Sequence, residues 1–117
     1  MAVDTNITTT EYKRCTVVSM DGRIDTNTAP GLQSVMEEVS TPNIVFDMAG
    51  INFISSKGLW VLSETQKACK KNDGMLVLVV SDEEGHPNRK ILDSFKLVGM
   101  DQYFTTFTNL TDAVGNF

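Results

Sequence analysis

Two short apolar runs, "NIVFDM" and "MLVLVV", constrain this chain more than any other feature. Neither alternates apolar with polar, so neither reads as a strand with one wet face. Runs of this length and kind read as strands buried on both sides. Such strands belong to sheets whose connections cross over as helices, and the intervening sequence has helical spacing. Ala29, Leu32, Val35, Met36 and Val39 share one helical face, with Pro30 in the first turn, where its missing N–H costs nothing; "STP" ends that helix. After Gly58, Leu59, Leu62, Gln66 and Cys69 mark a second face, closed by "KKNDG" with lysines near the C-terminus and Gly74 beyond. Ile91, Leu92, Phe95 and Val98 mark a third, stopped near Gly99.

The remaining segments complete the order. "ITTTEY" and "RCTVVSM" are β-branched and flank Lys13-Arg14, predicting a hairpin. "DGRID" reads as a turn, "AGINFI" as a connection plus a short extended piece, and "SDEEGHPNR" as a loop. "QYFTTF" reads as a strand and "NLTDAVGNF" as a cap with a short last helix. The resulting β-β-α-β-α-β-α-β-α order predicts an α/β fold: a mixed, mostly parallel sheet of about four to five strands with helices packed on it. A length of 117 residues suits one domain over 1–117, large enough to bury a core without staples.

Charge and composition exclude several classes. The formal net charge is −5 and no basic run occurs, which argues against nucleic acid and against an acidic membrane surface. Cys15 and Cys69 lie far apart and in no Cys-x-x-Cys spacing, so they read as buried reduced thiols. A lone histidine, His86, cannot build a multi-ligand metal site, and no cofactor motif is present. The N-terminus lacks a basic, apolar leader, and no window reaches the roughly 18 to 20 apolar residues of a membrane span. The expectation is a soluble, cytoplasmic protein without metal or cofactor.

One seam stands out. In "INFISSKGLW" a strand stops on Ser55-Ser56, Lys57 and Gly58 follow, and a helix begins. The carboxyl end of a strand is where open α/β sheets place sites, and the free N–H groups of a helix start favour an anion. A serine there can be a plain N-cap, worth about 1 kcal/mol against alanine, or an exposed acceptor of a phosphate. Lys57 opposes the helix dipole by about 0.3–1 kcal/mol, which hints at an outside contact. The P-loop pattern fails, because Lys57 follows the serines and precedes the glycine. The hydrolase pattern G-x-S-x-G fails at Ile54, and His86 and Asp82 as base and orienter would sit on a polar loop. Asp47 ends a strand, as a phospho-accepting aspartate would, but an acidic pair and a lysine expected with it are missing; it reads as a loop-organising side chain.

The whole chain resembles STAS domains of the anti-sigma factor antagonist type. "GRIDTNTAPGL" is similar to the family's entry to the first helix, carried by Gly22, Asp25 and Ala29. "NIVFDMAGINFISSKGLWVL" resembles its central strand and phosphorylation turn, and "GMLVLVV" with "ILDSFKLVGMDQYF" the next strand and helix. The commonest turn is Ile-Asp-Ser-Ser-Gly; here Ser55 replaces the aspartate, Ser56 aligns with the phosphorylated serine and Lys57 replaces the second serine, close to a serine-serine-alanine-glycine variant. The resemblance implies a binding switch and not an enzyme. It implies phosphorylation at Ser56, with Ser55 as fallback, and partner contact through Asp25, Ser55, Ser56, Lys57 and Gly58. The implied partners are a kinase-type anti-sigma factor that uses ATP and a serine phosphatase, with the chain a monomer or weak dimer. The alternative is an unphosphorylated scaffold or subunit module in a signalling or transport assembly. Asp25 alone also reads as a plain turn aspartate, and Trp60 as a helix-face core residue or, alternatively, an interface anchor.

Overall fold

Leu76 to Val79 is buried at every position, and its two faces belong to two different cores. The structure is a computed structural model that describes residues 6–117. The first five residues of the expected 1–117 domain, where the N-terminal stretch read as free of a leader begins, lie outside the described residues. The elements are β1 (Ile7–Glu11), β2 (Thr16–Met20), β3 (Gly22–Ile24), α1 (Ala29–Glu38), β4 (Ile44–Asp47), β5 (Ile51–Ile54), α2 (Ser56–Lys71), β6 (Leu76–Val79), α3 (Asn88–Leu97), β7 (Thr105–Phe107) and α4 (Leu110–Gly115). Five strands form one sheet in the order β1-β2-β4-β6-β7. The β1/β2 hairpin is antiparallel and the other pairs are parallel, giving the mixed, mostly parallel sheet that the element order predicted.

The period-2 alternation of the central strands divides their side chains between the faces. Val18, Phe46, Leu76 and Leu78 meet Leu32, Met36, Val61, Leu62, Ile91 and Phe95 from the first three helices. Val17, Val45, Val77 and Val79 meet Ala113 of the last helix. Cys69 packs in the first core and Cys15 in the second, so no disulfide can join them. Burial pushes both thiols up, Cys69 to about 11. Both are therefore expected to resist iodoacetamide at pH 7.5 in the native protein and to react together on denaturation, as mass spectrometry would read. Rapid native labelling of Cys69 would contradict its placement.

The structure corrects several expectations. "DGRID" is not only a turn: Gly22 takes φ +101° and leads into β3, which pairs in parallel with β5 as a separate two-stranded sheet. "QYFTTF" is extended only from Thr105; Phe104 instead turns into the core against Phe95 and Tyr103. Val98 is the C-cap of α3 and exposed, so the third apolar face ends on Phe95. The second helix begins at Ser56, two residues before Gly58, and buries Val61 and Thr65 in addition. At its far end Asp73, with φ +65°, takes the left-handed position expected of Gly74. Gly74 is needed for a different reason: a Cβ there would lie 2.1 Å from the Pro42 carbonyl oxygen.

Gln66, read as one of the apolar-face positions, has a polar task. Its side chain accepts from the Leu76 N–H at 2.9 Å and donates to the Leu76 carbonyl at 3.1 Å. It thus pairs the backbone at the start of β6, where β7 has not yet begun. Asp47 accepts from the Ala49 N–H at 3.1 Å and organises the loop after β4.

Candidate functional site

The small β3/β5 sheet builds the site. Ile24 and Ile54 are register partners, and the Ser55 N–H donates to the Ile24 carbonyl at 2.8 Å. Two segments thirty residues apart in sequence therefore end side by side, Asp25 after one and Ser55 after the other.

Ser55 is the N-cap of α2. Its backbone is extended, and its Oγ accepts from the Gly58 N–H at 3.2 Å. Ser56 is the first helical residue; its side chain is exposed, and its hydroxyl makes no hydrogen bond to any described residue. The two serines flagged by the sequence thus divide the tasks between them. Ser55→Ala is expected to lower stability by about 1 kcal/mol and Ser56→Ala to leave it within about 0.5 kcal/mol, read by chemical denaturation. The opposite order would mean that Ser56, and not Ser55, caps the helix.

Gly58, expected at the contact surface with them, is buried. A Cβ there would lie 2.7 Å from Ile24 Cγ2 and from Ile54 Cγ1. Its part is to let the first turn of α2 sit against both short strands, and it presents no side chain to a partner.

Asp25 organises the entry to α1. Its Oδ1 accepts from the Asn27 and Thr28 N–H groups at 3.0 and 3.1 Å, and its own N–H donates to Thr28 Oγ1. The Thr28 N–H, then the Asn27 N–H, the Thr28 hydroxyl and the Arg23 guanidinium hold its carboxyl below the ordinary aspartate range, against a smaller opposing effect of desolvation. The residue is half-buried, with Arg23 Nε 3.7 Å from Oδ2. The turn role and the position beside Ser55 therefore coexist in one residue.

Lys57 and Trp60 alter the picture most. Trp60 is 44% exposed and is not a core residue. It lies one turn beyond Ser56 and Lys57, and the Lys57 ammonium sits 4.2 Å from the centre of its ring. A cation–π contact at an exposed site contributes about 0.5–1 kcal/mol, enough to offset the unfavourable dipole term that made Lys57 conspicuous. A second pair repeats the theme: the Arg23 guanidinium lies 4.2 Å from the ring centre of Phe53, which is 39% exposed. Register explains Phe53. The pairing shifts between Gly22 and Arg23, leaving Asn52 without a partner, so the strict alternation that would have buried Phe53 with Ile51 is broken. Arg23 and Phe53 were not singled out from sequence. Their only signal was a bulky aromatic next to a polar turn, and that is weak.

Among the described residues, the groups weighed as a hydrolase set are not brought together. His86 Nδ1 accepts from the Asn88 N–H at 3.0 Å, so this histidine helps start α3 and is not merely solvated. The Asp82 carbonyl accepts from Arg89, and no hydrogen bond links Ser56, His86 and the Asp82 carboxylate. Among the described residues no group of three His, Cys, Asp or Glu side chains could hold a metal, and no helix is long and apolar enough to cross a membrane.

The strand-to-helix turn thus gathers an exposed serine with no hydrogen bond to a described residue, an acid, two cations and the two partly exposed aromatics on which those cations rest. The chain belongs to the STAS domain family, whose model matches residues 6–113. It is 27% identical over 111 residues to the anti-sigma-F factor antagonist RsfB of Mycobacterium tuberculosis, covering 92% of this chain and 85% of that protein. It is 33% identical over 84 residues to an anti-sigma-B factor antagonist of Staphylococcus aureus, covering 68% and 78%. The crystal structure of an anti-sigma factor antagonist from Mycobacterium paratuberculosis superposes with a TM-score of 0.79 at 29% identity, covering 98% and 96%. These relatives are named for a regulatory binding role and not for an enzymatic one.

Proposed function

We propose that this protein is an anti-sigma factor antagonist switched by phosphorylation at Ser56. Unmodified, it binds a kinase-type anti-sigma factor through the surface formed by Asp25, Ser55, Ser56 and Lys57, acting in the bacterial cytoplasm as a monomer or weak dimer. The partner transfers the γ-phosphoryl group of ATP to Ser56: a bond forms between Oγ and phosphorus, the bond to the leaving ADP breaks, and the hydroxyl proton passes to a base on the partner. A serine phosphatase reverses the modification.

The observation that carries this reading is the contrast between the two serines. Ser55 Oγ is engaged by the Gly58 N–H, whereas Ser56 Oγ is exposed and makes no hydrogen bond to a described residue, which leaves it open to a kinase active site. The names of the relatives support the antagonist role.

The test is incubation with a cognate kinase-type anti-sigma factor and ATP, followed by peptide mapping. One phosphate is expected, on Ser56, and none on Ser56→Ala. Phosphate on neither Ser56 nor Ser55, with binding to the partner retained, would leave the scaffold reading in its place.

A further inference from the structure

We propose that Lys57 is the phosphate-holding residue of this switch, and that its move from the Trp60 ring to a phosphate on Ser56 uncovers the indole. The inference rests on the reading of Ser56 as the modified residue and adds a mechanism to it. Helical side chains lean toward the N-terminus, so a residue covers the turn before its own Cα. Trp60 therefore lies over the turn that carries Ser56, four residues back, and Lys57, three residues back. Lys57 belongs to that same turn and its ammonium lies 4.2 Å from the ring centre; reaching a phosphate on the adjacent Ser56 requires its flexible four-carbon stem to swing off the ring.

A ring quadrupole and a phosphate compete unequally for an ammonium. The phosphate brings about −1.5 to −2 charges and three acceptor oxygens, and its charge-assisted hydrogen bonds outweigh an exposed cation–π contact. No acidic side chain occupies the first turn of α2, and neither ion pair in the described structure uses Lys57. Only the ring contact must be given up. Phosphorylation then changes the surface twice: it adds negative charge, and it removes the cation that covers the indole.

Trp60 is the only tryptophan, so its fluorescence reports this event without interference. Phosphoserine is to be encoded at position 56 during translation, which removes any dependence on a partner kinase. Acrylamide quenching of Trp60 and the 31P titration of the phosphate are then measured in the full chain, with Lys57 present and in Lys57→Ala. With Lys57 present, phosphoserine should increase quenching, and the second phosphate pKa should fall roughly half a unit below the ordinary value of about 6. In Lys57→Ala, quenching should already be high without phosphate, and the phosphate pKa should fall less than it does with Lys57 present, the helix start alone acting on it. Lys57→Arg should behave as the natural chain. Quenching that is unchanged by phosphoserine, or changed equally in Lys57→Ala, would overturn the inference. Failure of a cognate kinase to modify Ser56 would instead overturn the functional reading, and the encoded phosphoserine keeps the two outcomes apart.

Discussion

Replacing Asn88 with alanine should destabilise the protein by about 3–5 kcal/mol, a large share of the roughly 5–15 kcal/mol available to a domain. Asn88 is the first residue of α3 and is fully buried. Its Nδ2 donates to the Met48 carbonyl at 3.0 Å and the Ile51 carbonyl at 2.8 Å, and its Oδ1 accepts from the Ser81 N–H at 2.8 Å. One side chain thus ties the loop after β4, the start of β5 and the exit of β6. Truncation strands the Ser81 N–H and takes a donor from two carbonyls, of which Met48 keeps the Ile51 N–H at 2.9 Å; each unsatisfied group costs about 1–3 kcal/mol, the lost packing of a fully buried side chain adds to it, and any water that enters moderates it. Urea denaturation would measure the loss, and hydrogen exchange should show Ser81 among the amides most deprotected. Because Ile51 begins the strand that ends at Ile54, just before the Ser55 cap, the serine turn should loosen as well. A loss under about 1 kcal/mol would mean that these hydrogen bonds do not hold the loops together.

Placing a charge at Ser56 should weaken binding to the anti-sigma partner by about tenfold or more, since each 1.4 kcal/mol is a factor of ten. Ser56→Asp brings one negative charge where phosphate brings about 1.5 to 2, so the phosphorylated protein should lose more. Ser56→Ala adds no charge and disturbs no cap, because the cap is Ser55; it should bind as the natural chain does. Lys57 tempers the effect when it pairs with the new anion, and Lys57→Ala combined with Ser56→Asp should therefore bind more weakly than Ser56→Asp alone. Calorimetric titration of the variants against the partner is the direct measurement. Equal affinity for Ser56→Asp and the natural chain would remove the electrostatic basis of the switch.

Much of the fold was legible in the sequence because its signals are local. "MLVLVV" and the Ile44–Phe46 centre of "NIVFDM" are apolar without interruption, and strands covered on both faces are where such runs belong. The hairpin, three helical faces, the reduced cysteines and the conspicuous serine turn followed from spacing and side-chain type in the same way. Three features escaped. Gly22–Ile24 is too short to show a period, and its partner strand lies almost thirty residues away. Asn88 looked like any polar loop residue, since a sequence does not reveal which carbonyls will surround an amide. Trp60 fell on a helix whose apolar face was broad enough to claim it, and the packing of α2 against α1, β5 and β6 left it facing outward.

The sequence alone determined the alternation of strands and helices, the mostly parallel sheet and the turn at Ser55-Ser56, because backbone periodicity and helix-start chemistry are written in neighbouring residues. Tertiary structure decided which serine caps and which is free, brought Asp25 beside them through the β3/β5 pair, and set Lys57 over Trp60. The physical reason is the range of the interactions. Capping depends on a helix boundary that shifts by one residue with packing, as when Gly58 nests against Ile24 and Ile54. Pairing between short strands depends on a register that nothing in either strand specifies alone.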